Sequence, residues 1–171
     1  TEEGQQLIFG FPHAGDIIGL AGLETYPNSV ESVSAARLLP ISLAGFQKEI
    51  SQNRLTLDKL LSWIDQQATQ MRSHVAILSM RQPASRAAIF LLEMAKFQSV
   101  NSSKDPTDIR LPMTQRDIST YLAMAPETFS RIIRKFREMG IIRTGDSHQN
   151  DRLVEISDPR QMMEIANGKK I

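Results

Sequence analysis

Seven apolar positions, Leu57, Leu61, Ile64, Ala68, Met71, Val75 and Leu78, recur at alternating intervals of four and three residues. That alternation is the a/d seam of a heptad repeat, held over about three heptads. A strand cannot produce it, because side chains on a strand change face at every residue. The pattern requires a helix whose narrow apolar edge lies against a second helix. An unbroken seam favours a parallel partner, and an identical chain is the simplest supplier of one. Leu60, Trp63 and Gln67 form a second stripe beside the seam, placed to pack on the segment before it. The expectation is a dimerisation helix over 46–81.

The segment ahead of the seam reads differently. Residues 5–45 are dense in β-branched residues and turn formers. Gln5 to Phe11, Ile17 to Leu20, Val30 to Ala36 and Arg37 to Ser42 read as short strands. Pro12 to Asp16 and Thr25 to Asn28 read as the turns between them. Such spacing suggests part of an antiparallel roll or sandwich over residues 1–45, with too few strands to close. The chain opens at Thr1 inside a strand-like run, so the reading expects a piece of a longer protein.

Behind the seam, Gln82-Pro83-Ala84-Ser85 breaks the helix, because proline disfavours helical conformation in the residue before it. The break is a candidate hinge. Arg86 to Phe97 is a strongly apolar helix, the expected floor of a domain over 82–171. Gln98 to Asp108 is a polar loop, and Ile109-Arg110-Leu111 a short strand. Thr114 can cap the next helix with Asp117 three residues on, and Ile118, Tyr121 and Leu122 share a face. A second helix starts at Ala125-Pro126, with proline at the first helical position. Its stripe is Phe129, Ile132, Ile133, Phe136 and Met139, and Gly140 stops it. Two apolar runs, Ile141 to Arg143 and Leu153 to Ile156, flank Thr144 to Arg152 and read as a hairpin wing. Asp158-Pro159 caps a last helix through Met162, Met163 and Ile165, expected to fray into Gly168-Lys169-Lys170.

Two short helices joined by a tight break, followed by a wing, are the parts of a winged helix-turn-helix. With its apolar stripe buried, the second helix must present Glu127, Ser130 and Arg131 outward. Arg131 can donate a bidentate pair to guanine O6 and N7, worth ~1–3 kcal/mol of discrimination. Glu127, one turn earlier, can accept from the cytosine N4 amino group, and a Glu127–Arg131 pair can hold both side chains ready. Ser130 is small enough to let the helix sit deep. Thr114, Gln115, Arg116, Thr128, Arg134, Lys135, Arg137 and Arg143 are placed for the phosphate backbone, where they supply affinity without sequence information. The alternative is a winged module that binds protein, with these residues as an ordinary solvated face.

Charge supports the first reading modestly. Residues 1–80 carry a net −3 and residues 81–171 a net +4, so the basic excess lies with the helix pair. The chain has no cysteine, hence no disulfide framework and no thiolate metal site. No apolar run is long enough to span a membrane and no signal peptide is visible, so the expected location is the cytoplasm. The three histidines are scattered, and there is no nucleophile–base set, metal-ligand spacing or phosphate loop, so an enzyme is not expected.

The run LPMTQRDISTYLAMAPETFSRIIRKFREMGII, with FGFPHAGDIIGLAGL upstream, resembles the Crp–Fnr family of bacterial transcription regulators, and the Fnr-like branch in particular. The resemblance covers essentially the whole chain. It implies an α+β fold: a partial antiparallel β-roll of the cyclic-nucleotide-binding kind, a long dimerisation helix and a C-terminal winged helix-turn-helix. It implies a homodimeric activator that binds double-stranded DNA and meets RNA polymerase. The Glu127, Ser130, Arg131 set implies half-sites of the TTGA kind in an inverted repeat. The departures bear on the effector. Gly19 is followed by Leu20, and the stretch Asn28 to Val33 offers no arginine to a phosphate, which argues against cyclic AMP. Arg37-Leu38-Leu39-Pro40 holds no cysteine, which argues against a four-cysteine iron–sulfur cluster. A haem stays open, with His13, His74 and Met71 as candidate ligands, weighed against ordinary packing roles. Ala123 stands where the family's turn often has glycine, and a left-handed backbone there would cost ~1–2 kcal/mol.

Overall fold

The helix expected over 46–81 is not continuous. In the computed structural model, which describes residues 7–20, 28–101, 108–145 and 153–171, it is divided into α1 (Leu43–Gln52) and α2 (Arg54–Leu78). Asn53 makes the division. Its backbone is extended, φ −123° and ψ 103°. Its Oδ1 accepts from the N–H groups of Leu55 (3.1 Å) and Thr56 (3.3 Å), capping α2. Its amide donates to Glu49 Oε1 at 2.9 Å, tying the cap back to α1. An N-cap that satisfies two otherwise orphaned donors competes with continuation of the preceding helix. The seam from Leu57 to Leu78 therefore lies wholly on α2, and the expected helix over 46–81 is corrected to 54–78. Leu60, Trp63 and Gln67 are half-buried.

The chain divides into two compact units, residues 35–79 and residues 1–34 with 80–171. In the first, α1 packs on α2. Ser42 caps α1 by accepting from Gly45 N–H at 3.2 Å.

The four strands expected in the N-terminal segment do not form among its described residues, which carry no ladder. A β-propensity pattern becomes a strand only where a neighbouring edge takes up its N–H and C=O groups, and no described segment pairs with residues 7–20 or 28–42. The turn between the first two expected strands does form. Asp16 N–H donates to His13 C=O (3.0 Å), and His13 N–H to Asp16 Oδ2 (2.7 Å). Gly15 sits at φ 97°, a conformation open to glycine. Gln5 and Gln6, the turn at 25–27, part of the polar loop (102–107) and the wing tip (146–152) lie outside the described residues.

The C-terminal segment is built as its sequence indicates. α3 (Pro83–Asn101) begins at the proline itself, earlier than Arg86, because proline at the first helical position forfeits no hydrogen bond. Then follow β1 (Asp108–Arg110), α4 (Gln115–Tyr121), α5 (Pro126–Glu138), β2 (Ile142–Thr144), β3 (Leu153–Ile156) and α6 (Pro159–Ala166). The sheet has the order β1-β3-β2, all antiparallel, with Ile109 opposite Val154 and Ile142 opposite Ile156. Gln98 of α3 covers the free side of β1. Its Oε1 accepts from Arg110 N–H (2.8 Å) and its Nε2 donates to Arg110 C=O (2.7 Å), closing an otherwise open edge.

α3 is the floor of the core. Ala87, Ala88, Phe90 and Leu91 are fully buried with Met162 and Ile165 of α6 and Phe129 and Phe136 of α5. Ser85, also buried, donates to Ile165 C=O at 2.6 Å. The last helix does not fray. Gly168, at φ 98°, donates to Ile165 C=O and Lys169 N–H to Glu164 C=O, the paired bonds of a Schellman stop. Gln82 Nε2 donates to Gly168 C=O at 3.1 Å, holding that end to the start of α3.

Candidate nucleic-acid interface

The geometry of the site starts at Thr114. Its Oγ1 accepts from Asp117 N–H at 3.1 Å, while Asp117 Oδ2 accepts from Thr114 N–H (2.9 Å) and from its hydroxyl (2.7 Å). This is a complete capping box with Asp in the place usually held by Glu or Gln. It fixes where α4 begins. Ile118 and Leu122 are buried, and the buried Ser119 hydroxyl donates back to Gln115 C=O at 2.6 Å.

α4 ends in a left-handed residue, as the sequence allowed but did not decide. Ala123 has φ 49°. Its N–H donates to Thr120 C=O (3.1 Å) and Met124 N–H to Ser119 C=O (3.0 Å), a Schellman stop with alanine in the glycine position. Ala125, extended at φ −67° and ψ 143°, then precedes Pro126 at the first position of α5. Three residues therefore separate the cap of α4 at Leu122 from the first turn of α5.

Phe129, Ile132, Ile133 and Phe136 of α5 are buried. Met139, expected in the same stripe, is 38% exposed, because it lies past the last turn as the C-cap and its side chain no longer faces the core. Gly140 (φ 70°) donates to Arg137 C=O at 2.9 Å, and Ile141 N–H to Phe136 C=O at 2.9 Å. Phe136 and Ile141, the two apolar residues of this stop, are both fully buried.

With that stripe buried, the opposite face of α5 presents Glu127, Arg131 and Arg134 at helical spacing and exposed, with Ser130 partly so. Lys135 and Glu138 flank them, also exposed; Glu138 was not among the residues the sequence singled out, although it extends the same row. Among the described residues none of Glu127, Ser130, Arg131, Arg134 or Lys135 has a side-chain hydrogen bond or ion pair. The Glu127–Arg131 pair foreseen from the spacing is thus not formed. Thr128 is half-buried, and Gln115 and Arg116 are exposed at the start of α4. Thr114 is exposed, but its hydroxyl proton is given to Asp117.

The remaining two basic candidates stand at the wing. Arg137 Nη1 reaches Thr144 Oγ1 at 3.5 Å, and Arg143 Nη1 lies 3.8 Å from Glu155 Oε1, its cross-strand neighbour. Both partners of that ion pair are solvent-exposed, so it contributes at most ~1 kcal/mol and yields readily to a competing anion. Arg86 of α3, which sequence reasoning passed over, belongs to the site. Its Nη1 donates to the carbonyls of Leu122 (3.0 Å) and Ala123 (3.1 Å). The signal was a cation at the head of the apolar stretch Ala87 to Leu92.

The pattern of the Crp-like helix-turn-helix domain matches residues 85–165. The transcriptional activator protein Anr of Pseudomonas aeruginosa is 29% identical over 175 residues, covering 99% of this chain and 68% of that protein. The transcriptional activator protein FnrA of Stutzerimonas stutzeri is 28% identical over 148 residues, covering 83% of this chain and 59% of that protein. Among solved structures, FixK2 from Bradyrhizobium japonicum superposes with a TM-score of 0.63 at 21% identity, over 74% of this chain and 60% of that one. The chain is similar to members of the Crp–Fnr family, and its residues 85–165 match the Crp-like helix-turn-helix domain. Its fold is α+β with a C-terminal helix-turn-helix of the Crp-like kind.

The residues considered as haem ligands have other surroundings. The His13 ring packs on Phe97 with centroids 3.7 Å apart, and burial pushes its pKa down against the opposing pull of Asp16. Met71 is 68% exposed on the seam of α2, and His74 is half-buried, with its pKa lowered by desolvation. Among the described residues no three His, Cys, Asp or Glu gather as a metal site, and no helix is long and apolar enough to cross a membrane. Phe11 joins an aromatic cluster with Tyr121 (5.2 Å) and Phe90 (6.5 Å). Burial and the nearby Glu93 carboxylate push the Tyr121 phenol up to about 12.

Proposed function

We propose that this chain acts as a dimeric, sequence-specific DNA-binding regulator that reads an inverted repeat with half-sites of the TTGA kind. The observation that carries the reading is the polar face of α5. Glu127, Ser130 and Arg131 stand together in its first two turns, reachable and without side-chain partners, above a fully buried apolar stripe. A helix N-terminus equipped in this way suits the major groove, with Arg131 taking guanine, Glu127 taking cytosine and Ser130 permitting close approach. Arg134, Lys135, Arg137 and Arg143, with Thr114, Gln115, Arg116 and Thr128, follow the phosphates on either side.

The dimer is supported by α2. Leu57, Leu61, Ile64, Met71, Val75 and Leu78 are all exposed, and Ala68 partly so, although the seam is continuous. Pairing two such helices buries that row and brings two recognition helices to successive major grooves ~34 Å apart. Signal input to the segment before α1 would act by shifting the α2 pair and the joint at Pro83. Anr and FnrA carry the name transcriptional activator, in keeping with this reading.

The test is a binding titration against a TTGA-type inverted repeat and a scrambled duplex at fixed salt. Wild-type chain should prefer the repeat. Arg131→Ala should lose ~1–3 kcal/mol of that preference, while Lys135→Ala should weaken both duplexes alike and reduce the salt slope by about 1. Equal losses on both duplexes for Arg131→Ala would refute its role. No preference in the wild type would leave the winged domain as a protein-binding module.

A further inference from the structure

We infer that Arg86 is the positioning residue of the recognition helix: it holds the left-handed turn at Ala123 that decides where α5 points. This rests on the DNA-reading assignment of α5 and adds a determinant outside the helix pair.

The direction of α5 relative to α4 is set by the backbone angles of Ala123, Met124 and Ala125. Ala125 is extended and Met124 has no positive φ, but Ala123 at φ 49° is in a region that an L side chain disfavours. Nothing intrinsic to alanine keeps it there. The two backbone bonds of the stop, Ala123 N–H to Thr120 C=O and Met124 N–H to Ser119 C=O, satisfy the donors of the turn. The carbonyls of Leu122 and Ala123 point out of the helix end, and Arg86 Nη1 donates to both, at 3.0 and 3.1 Å. One planar cation from a neighbouring helix thus holds two successive carbonyls through a single nitrogen. Its charge also faces the negative end of α4.

Arg86 is committed to this contact. Among the described residues it has no carboxylate within ion-pair distance, and its Nε is enclosed without a hydrogen-bond partner. Its backbone is fixed near the start of α3, where its N–H donates to Gln82 C=O at 3.3 Å, and the adjacent Ala87 and Ala88 are fully buried. The guanidinium is carried on the helix that forms the floor of the core. Where glycine would hold a left-handed turn by itself, this chain uses alanine and an external clamp.

The clamp predicts a specific second-site rescue. Arg86→Met keeps the stem and removes the donors, and Ala123→Gly removes the strain that the donors oppose. The full chain, both single variants and the double variant are titrated with the repeat and with scrambled duplex by fluorescence anisotropy, well below their melting temperatures, and are also melted. Arg86→Met should cut the repeat-to-scrambled preference by ~10-fold, the size of one lost bidentate base contact, with scrambled binding nearly unchanged. Adding Ala123→Gly should bring the preference back to within ~2-fold, the usual error of additivity. A residue that only stabilised the domain would lower the melting temperature without moving that ratio. An unchanged ratio in Arg86→Met, or a double variant as poor as Arg86→Met, overturns the assignment. If the wild type shows no preference, the function reading fails and the melts decide Arg86: its loss must cost less in the Ala123→Gly background, and equal costs refute the clamp. Should Arg86→Met not fold, Arg86→Gln, which removes the charge and shortens the reach to both carbonyls, takes its place in the same cycle.

Discussion

Replacing Gly140 by alanine isolates the energetics of the helix stops that frame the recognition helix. Gly140 lies at φ 70°, and a Cβ built on it meets no atom within 4 Å. Steric clash is therefore absent, and only backbone strain remains, ~1–2 kcal/mol for an L residue in the left-handed region. Alanine also restricts the unfolded chain, which returns ~0.4–1 kcal/mol. The net loss is about 1 kcal/mol, a fall of ~4–8 °C in melting temperature for a domain of this size. Ala123 is the mirror case, with φ 49° and a side chain already present, so Ala123→Gly should raise the melting temperature by a similar amount. The two turns share no partner, and the double exchange should return near the parent. Thermal melts followed by circular dichroism at 222 nm read all three. If Gly140→Ala melts at or above the parent temperature, or if the two exchanges shift it in the same direction, the strain argument is wrong.

Phe136→Ala removes a fully buried ring at the end of α5 and should destabilise by ~3–5 kcal/mol in a denaturant titration. Thr114→Ala removes the capping box of α4 and should cost ~1 kcal/mol, seen as a lower melting temperature. Glu93 is half-buried, and desolvation raises its carboxyl above the ordinary 4.5 against a smaller pull from Lys96. The folded chain then binds that proton more tightly than the unfolded chain, so the contribution to stability is full below pH 4.5 and is lost as pH rises through the higher folded value. Glu93→Gln should raise the melting temperature at pH 7, change it little at pH 4, and flatten the slope between; an unaltered slope would refute the linkage. Leu61→Glu on the exposed seam should leave the fold intact and yield a monomer in sedimentation velocity, with the preference for the inverted repeat lost.

The most legible parts of the site were those whose signals are local. Thr114 and Asp117, Ala125-Pro126 and Gly140 announce helix ends through the hydrogen bonds their own side chains or backbones can make within four residues, and the structure uses all of them. The buried stripe of α5 followed from a 3.6-residue period, and with it the exposure of Glu127, Ser130 and Arg131. Asn53 carried an equally local capping signal, but the continuous heptad pattern masked it, because an apolar period says nothing about whether a backbone is interrupted outside the seam. The strands read into residues 5–42 do not form among the described residues. Their pattern is one of propensity, and propensity needs a neighbouring edge before it becomes a ladder.

By itself, then, the chain's sequence determined which segments of residues 83–166 are helix or hairpin and which face of each is apolar, since both depend on neighbours a few residues away. Tertiary structure alone decided the rest. Whether Ala123 would accept a left-handed turn depended on two carbonyls meeting a guanidinium from residue 86, and whether Phe11 would pair as strand or pack depended on Phe90 and Tyr121 lying beside it. These contacts join residues that are far apart in sequence, and no period or cap within either segment encodes them.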